Sequence, residues 1–292
     1  MALINININS GDRVLAMTLD LDETQPNEKT ILEYVKSNQL YEPDVAHLML
    51  QFVDAGDVVV DVGANVGFFT TLLATLTGPT GRVLSFEPGA GNLARLHRHI
   101  AINAFEHVTV VEQPASAVAG EVEFFINSDN SGGNALWDVG SFPGNEKSAA
   151  APLPLKLLAT TVDDEIKRLG LPAPKLIKID TEGAELEVLR GCRHLLTGQR
   201  TPFVIAESHP FGLAKMNASL KELRTFMAGF GYATFALFYD GAMPRFIPLD
   251  VEIKSKHFIN LLFTTPEHIA RFWSLAVHDP MCKTHSPPRP PT

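Results

Sequence analysis

The chain reads as an α/β protein built on a doubly wound, mostly parallel sheet. Two observations predict this. Short β-branched runs alternate with helical segments along most of its 292 residues, the rhythm of successive βαβ units. Several of those runs close on an acidic residue, at Asp61, Glu87, Glu112, Asp180 and Glu207. In doubly wound sheets, ligands bind beyond the carboxyl ends of the strands. Length adds a third consideration. A single hydrophobic core supports about 250–300 residues, so one large domain with terminal additions is expected.

Taken in order, the first residues alternate apolar and polar and lack a basic start. They read as a strand rather than a signal peptide. Ala2 to Leu21 is read as a hairpin that adds to a sheet edge or makes a dimer contact. Residues 1–40 are expected to form an N-terminal extension of hairpin plus helix, 41–266 the main domain and 267–292 a C-terminal extension. Asp57 to Val62 is a buried parallel strand by its β-branched run, and Phe68 to Leu76 the helix after it. Arg82 to Glu87 is a second strand, Asn92 to Asn103 a second helix and Val108 to Glu112 a third strand. Asp138 to Pro154 is a surface loop rich in Gly, Pro, Ser and Ala. Lys175 to Asp180 is a fourth strand, with a helix from Glu182 to Arg190 that Gly191 stops. Phe203 to Glu207 is a fifth strand, and Leu220 to Ala228 a helix. Tyr232 to Tyr239 and Phe258 to Phe263 are strands too close together for a long crossover, which predicts an antiparallel pair at one end of the sheet. The Pro-rich end from His285 to Thr292 reads as a disordered tail.

The formal net charge is −9, which argues against broad capture of nucleic acid or of an anionic membrane surface. No uncharged apolar stretch is long enough to span a bilayer. Two cysteines, Cys192 and Cys282, leave no disulfide framework and no cysteine-rich zinc site. The expected compartment is the cytoplasm, and a homo-oligomer stays open.

The segment Asp61-Val62-Gly63-Ala64-Asn65-Val66-Gly67 joins the first core strand to its helix. Gly63 allows close approach of the backbone to a ligand. A dinucleotide site wants G-x-G-x-x-G, whereas this loop lacks the middle glycine and has an aspartate at its mouth. That carboxylate repels a pyrophosphate and suits an ammonium. S-adenosylmethionine, with an amino-acid end, a sulfonium and no phosphate, fits that environment. Glu87, at the end of the second strand, is placed to accept the ribose hydroxyls.

DVGANVGFFT, SFEP, the TTVDDEI segment at Thr160 to Ile166, KIDTEGAELEVLRG at Lys178 to Gly191 and AESHP at Ala206 to Pro210 together resemble the FkbM family of S-adenosylmethionine-dependent methyltransferases. The resemblance covers about Tyr41 to Thr264 and is most specific at KIDTEGAE. It implies the seven-stranded, Rossmann-like sheet of class I methyltransferases, with an antiparallel strand near the C-terminal end, and O-methylation of a small molecule such as a sugar, a polyketide or a lipid-linked alcohol. By resemblance, Tyr41 and Glu42 cover the cofactor. Asp61, Gly63, Asn65 and Gly67 make the amino-acid and loop contacts, Glu87 the ribose contact, and Ala115 and Ser116 lie near the adenine. Ser131-Gly132-Gly133-Asn134 resembles a Gly-rich segment at the active-site mouth.

An alcohol acceptor lacks nucleophilicity, so a general base is expected near its hydroxyl. The candidates are His209, Asp180 and Glu182, with Asp180 also beside the cofactor. His209 has the pKa range of a base at neutral pH, and Glu207 or Asp180 is placed to orient it. Glu182 and Glu185 also read as acids complementing a helix dipole. Asp180, Glu182, Glu207 and Asp163 offer oxygen ligands to Mg²⁺, although no spacing compels a metal and Asp163-Asp164 read as a helix cap. Trp137 and Phe142 read as exposed aromatics, either a lid over the acceptor or a patch that anchors the loop. His97, His99 and His107 read as surface residues. A protein methyltransferase and a non-catalytic S-adenosylmethionine-binding module are the alternative functions.

Overall fold

The computed structural model describes residues 2–10, 13–255 and 257–275. The Pro-rich end and Cys282 lie outside them. The chain opens with β1 (Ala2–Ser10) and β2 (Arg13–Leu21), an antiparallel two-stranded sheet of their own. Alternation puts Ile4, Ile6 and Ile8 on the same face as Met17 and Leu19, and this face packs into the main core. α1 (Pro26–Lys36) and α2 (Pro43–Phe52) both start on proline, whose fixed φ and missing N–H suit a first helical turn.

The first wound half is β3 (Val58–Val62), α3 (Phe68–Thr77), β4 (Arg82–Phe86), α4 (Ala90–Ile102) and β5 (Val108–Val111). A second hairpin, β6 (Gly120–Phe125) with β7 (Pro154–Ala159), stands outside the main sheet and carries between its strands the Gly-rich segment and α5 (Glu146–Ala150). There follow α6 (Val162–Arg168), β8 (Leu176–Ile179), α7 (Glu185–Arg190), α8 (Arg193–Leu196), β9 (Phe203–Ser208), α9 (Pro210–Lys215) and α10 (Leu220–Gly229). The last elements are β10 (Ala233–Ala236), β11 (Arg245–Ile247), β12 (Ile259–Thr264) and α11 (Pro266–Leu275).

The main sheet runs β11-β10-β12-β9-β8-β3-β4-β5. Pairing is parallel from β9 through β5, whereas β12 lies antiparallel to β9 and β10. The sheet is thus doubly wound and mostly parallel, as expected, but has eight strands rather than seven. The additional one, β11, is a three-residue edge strand that only its pairing with β10 defines. The chain reverses direction between β3 and β8, which opens a crevice above their carboxyl ends. One core layer joins the N-terminal hairpin, α2 and α3 beneath the sheet. The other packs α6, α7 and α10 on its opposite face.

Three local readings change. His99 is fully buried: its Nδ1–H donates to Val66 O (2.6 Å), and its Nε2 accepts the Asp20 N–H (3.0 Å). His107 is buried too, its Nε2–H bonded to Ala74 O at 3.0 Å. α6 is capped not by its aspartates but by Thr161, whose hydroxyl accepts the Asp164 N–H. Asp163 instead accepts the His194 and Leu195 N–H groups at the start of α8.

Candidate active site

A cavity lies above β3, β4 and β8. Its walls include Gly63 and Asn65 from the first loop, Phe86–Pro88 after β4, Ala115, Ser131–Gly132 and Asn134 from the Gly-rich segment, and Asp180–Glu182 after β8. Gly63 is required there twice over. Its φ is +81°, and a Cβ on it would stand 1.7 Å from the Asp180 carbonyl oxygen. Asn65 is left-handed as well, at φ 53°, a conformation that asparagine tolerates better than most residues.

Glu87 forms part of the wall, nearly buried. Its Oε2 accepts the Asn65 N–H (2.8 Å), and its Oε1 accepts the Gly89 N–H (2.7 Å). Burial pushes its pKa up to about 7 against those hydrogen bonds. Each carboxylate oxygen has two lone pairs, so Oε2 keeps one for a ligand hydroxyl, while Oε1 also has Asn92 Nδ2 at 3.5 Å. Pro114, Ala115, Phe124 and Leu136 supply apolar wall next to it.

Asp61 does not line this cavity. Its carboxylate is fully buried, accepts the Thr70 hydroxyl (2.7 Å) and faces Lys178 Nζ at 3.9 Å. A strand residue one place before the end of β3 points into the sheet packing rather than over the top. Gly67 caps α3 instead of lining the wall, and a Cβ there would meet Leu96 Cδ1 at 2.7 Å. Ser116 is held by backbone pairing with Thr160 while its neighbour Ala115 reaches the cavity. Tyr41 packs edge-on against Phe68 and lies outside the lining residues.

Acids gather at one end of the cavity. Single carboxylate oxygens of Asp180, Glu182 and Glu207 lie within 4.8 Å of one another. Glu42, left-handed at φ 44° before α2, adds its charge to the same cluster. Lys178 is the cation among them. It is buried, 3.0 Å from Asp180 Oδ2, with its Nζ 4.6 Å from the centre of the Phe69 ring. Burial opposes the Lys178 ammonium, but Asp180, Asp61 and Glu42 outweigh it and hold its pKa above the ordinary value. Burial and the Asp180 charge push Glu182 and Glu207 well above the ordinary carboxylate range. Asp180 therefore works as the partner of Lys178 rather than as a helix cap. Asp163 and Glu112 are elsewhere, Glu112 being solvent-exposed beside His97.

Glu182 precedes α7 instead of starting it, in a left-handed conformation at φ 56°. This turn lifts its side chain toward the cavity, while Glu185 folds back to accept the Thr181 and Gly183 N–H groups. His209 is 2% exposed. Its Nδ1 accepts the Gly212 N–H at 3.2 Å and lies 3.6 Å from Glu182 Oε2, and its Nε2 is buried without a hydrogen-bond partner. Burial lowers its pKa. Phe258, Phe142 and Trp137 surround the ring at 4.4, 5.6 and 6.0 Å between centroids. Trp137 is buried, as the anchoring-patch reading expects and the exposed lid does not, and its indole N–H donates to Glu182 O at 2.6 Å. The loop aromatics therefore anchor the Gly-rich loop to the turn at Glu182.

Sequence reasoning passed over Lys178, although a lysine in the apolar run KLIKID was a visible signal that a buried cation needs partners. It also passed over Asn27 and Asn92, polar residues whose partners lie far along the chain.

The sequence model of the methyltransferase FkbM domain matches residues 61–234, more than half of the chain. The chain is 28% identical over 169 residues to the hexuronic acid methyltransferase AglP of Haloferax volcanii, covering 58% of this chain and 62% of that protein. It is 30% identical over 213 residues to the 31-O-demethyl-FK506 methyltransferase FkbM of Streptomyces tacrolimicus, covering 62% of this chain and 74% of that one. With the first of these relatives, as with the methyltransferase sdnD of Sordaria araneosa, it spans about three fifths of the relative's length. A crystal structure of methyltransferase FkbM from Methylobacillus flagellatus superposes with a TM-score of 0.45 at 18% identity, over 84% of this chain and 56% of that one. From the glycine loop after β3 to Thr234 in β10, the chain belongs to the FkbM methyltransferase family.

Proposed function

We propose that this chain is an S-adenosylmethionine-dependent methyltransferase acting on a hydroxyl of a small molecule. The observation that carries this reading is Glu87. Its carboxylate sits in the cavity wall with both oxygens fixed by backbone N–H groups and a lone pair left on Oε2, a receptor for a ribose hydroxyl. The apolar wall beside it suits an adenine ring, and the acids at the far end suit an ammonium and a sulfonium. When bound, the cofactor supplies a methyl group on an excellent leaving group. Asn65 and Gly63 shape the loop beneath it, and Asp61 holds that loop's base from below through Thr70 and Lys178. Asp180 and Glu182 set the negative field.

For the proton of the acceptor hydroxyl, the geometry favours Glu182 over His209. Glu182 reaches the cavity, where burial and the Asp180 charge raise its pKa, and a carboxylate of raised pKa is the stronger base. The Nδ1 lone pair of His209 already accepts a backbone N–H, so that nitrogen does not take the proton, and His209 stands 3.6 Å from Glu182 as a buried neighbour. Asp180 is occupied by Lys178.

The test is calorimetric titration with S-adenosylmethionine and, separately, NAD⁺, followed by an acceptor screen that starts from glycosides. Binding of S-adenosylmethionine alone is expected; a folded protein that ignores it overturns the reading. Glu182→Gln is expected to lower kcat at saturating cofactor about 10²–10⁴-fold, beyond any loss of cofactor affinity. Unchanged turnover moves the base to His209 or Asp180.

The carboxylate triad of Asp180, Glu182 and Glu207 favours a second reading, in which a hard divalent cation joins the site. Turnover that EDTA abolishes and Mg²⁺ restores supports it. Turnover indifferent to EDTA leaves the metal-free reading alone.

A further inference from the structure

The N-terminal extension touches the wall of the cavity through Asn27, which bonds to two of the lining residues. Asn27, in the first turn of α1, is buried although it lies well before the family-matched residues. Its Nδ2 donates to Asn65 Oδ1 at 3.0 Å and to Ser131 Oγ at 3.2 Å. Asn65 and Ser131 both line the cavity, from two segments far apart in the chain. Their connection continues on both sides. The Asn65 N–H donates to Glu87, and Asn92 Nδ2 donates to Ser131 O at 2.9 Å while lying 3.5 Å from Glu87 Oε1. A Cβ on Gly132 would stand 3.4 Å from Asn27 Cβ, so the Gly-rich segment lies directly against this side chain.

α1 is itself fixed where it stands. Glu28, next to Asn27 and buried, takes the Arg95 guanidinium at 2.7 Å and accepts the Asp22 N–H at 2.8 Å. A rigid helix therefore presents one carboxamide between the first loop and the Gly-rich segment. The Oδ1 of that carboxamide is buried without a protein partner. A buried amide that satisfies two loops and keeps an acceptor free does more there than fill space.

From this placement we propose that Asn27 is a cofactor-positioning residue. It ties the Gly-rich segment over the first loop, closes the cavity wall around the Glu87 end of the ligand, and makes the N-terminal extension part of the cofactor site. The inference rests on the cofactor reading given above.

The experiment is titration of the full chain and its variants with S-adenosylmethionine, with melting temperatures and steady-state kinetics alongside. Asn27→Ala is expected to weaken cofactor binding about 5- to 10-fold, the scale of one or two lost hydrogen bonds. It should raise KM for the cofactor while kcat at saturation stays within about twofold, since it removes binding shared by ground and transition states. Lys29→Ala, on the exposed side of the same helix, should leave the affinity unchanged. Ser131→Ala removes the same contact from the other end, so its effect and that of Asn27→Ala should be non-additive in the double variant. It also keeps the test available if Asn27→Ala does not fold. Wild-type affinity in Asn27→Ala, or strict additivity with Ser131→Ala, overturns the inference while leaving the cofactor reading standing. No binding by the wild type overturns both.

Discussion

At the scale of single residues, the site is governed by burial. Glu87 has its pKa raised to about 7 by burial. A carboxyl whose folded pKa lies above its unfolded value of 4.5 adds stability below about pH 4.5, and this stability is lost as pH rises toward 7. The apo protein is therefore expected to melt at falling temperature between pH 5 and pH 7.5. Glu87→Gln should flatten that slope in calorimetric scans, and an unchanged slope places the titrating group elsewhere. Lys178 shows the converse. It is buried between Asp180 and Asp61, with Glu42 also within reach of its charge. Lys178→Met leaves those carboxylates without their cation, and breaking a buried ion pair of this kind costs about 3–5 kcal/mol. Chemical denaturation of this variant checks that expectation, and a loss below about 1 kcal/mol shows that solvent already screens the cluster. Glu182, Lys178 and Asn27 illustrate what a sequence reading misses at this scale. Glu182 was named as a candidate, but its left-handed turn was not legible. Asp61 beside Lys178, and the partners of Asn27, come from strands and loops far along the chain.

Among the elements, the first loop depends on the packing of β3 against β8. Gly63 leaves no room for a methyl group because the Asp180 backbone crosses it. Gly63→Ala is expected to displace both loops and to abolish cofactor binding in the titration described above. Binding within threefold of wild type contradicts a rigid junction between them. The strands and helices of this wound half were readable from β-branched runs and apolar periodicity, because their burial follows from local composition. The β6–β7 hairpin was not. Its strands are separated by a long intervening segment, and the exposed Leu155 and Leu158 blur the alternation. β11 was invisible for a related reason, since three residues carry no period.

Across the whole molecule, the N-terminal hairpin belongs to the main core. Ile8, Met17, Leu19 and Leu21 are buried in the same cluster as Val59 of β3 and Leu72 of α3. His99 reinforces the connection by bridging Val66 of the first loop to Asp20 of β2. A shared core predicts one cooperative thermal transition, with probes placed in the hairpin and in the sheet melting together. A separate early transition in the hairpin indicates an independently folding extension. Among the described residues, no helix is long and apolar enough to cross a membrane.

The sequence by itself determined the wound α/β sheet, the family and the wall positions Gly63, Asn65, Glu87, Ala115, Asp180 and Glu182. Gly63, Glu87, Asp180 and Glu182 follow from residue type near a strand end, and Asn65 and Ala115 from the family resemblance. Tertiary structure alone decided which carboxylate is exposed to a ligand and which is spent on a partner. It turned Asp61 inward and paired Asp180 with Lys178. It also lifted Glu182 into the cavity, closed His209 under aromatic rings and brought Asn27 against the glycine loop. The physical reason is that ionisation and hydrogen bonding depend on burial and on partners remote in sequence, which local pattern does not encode.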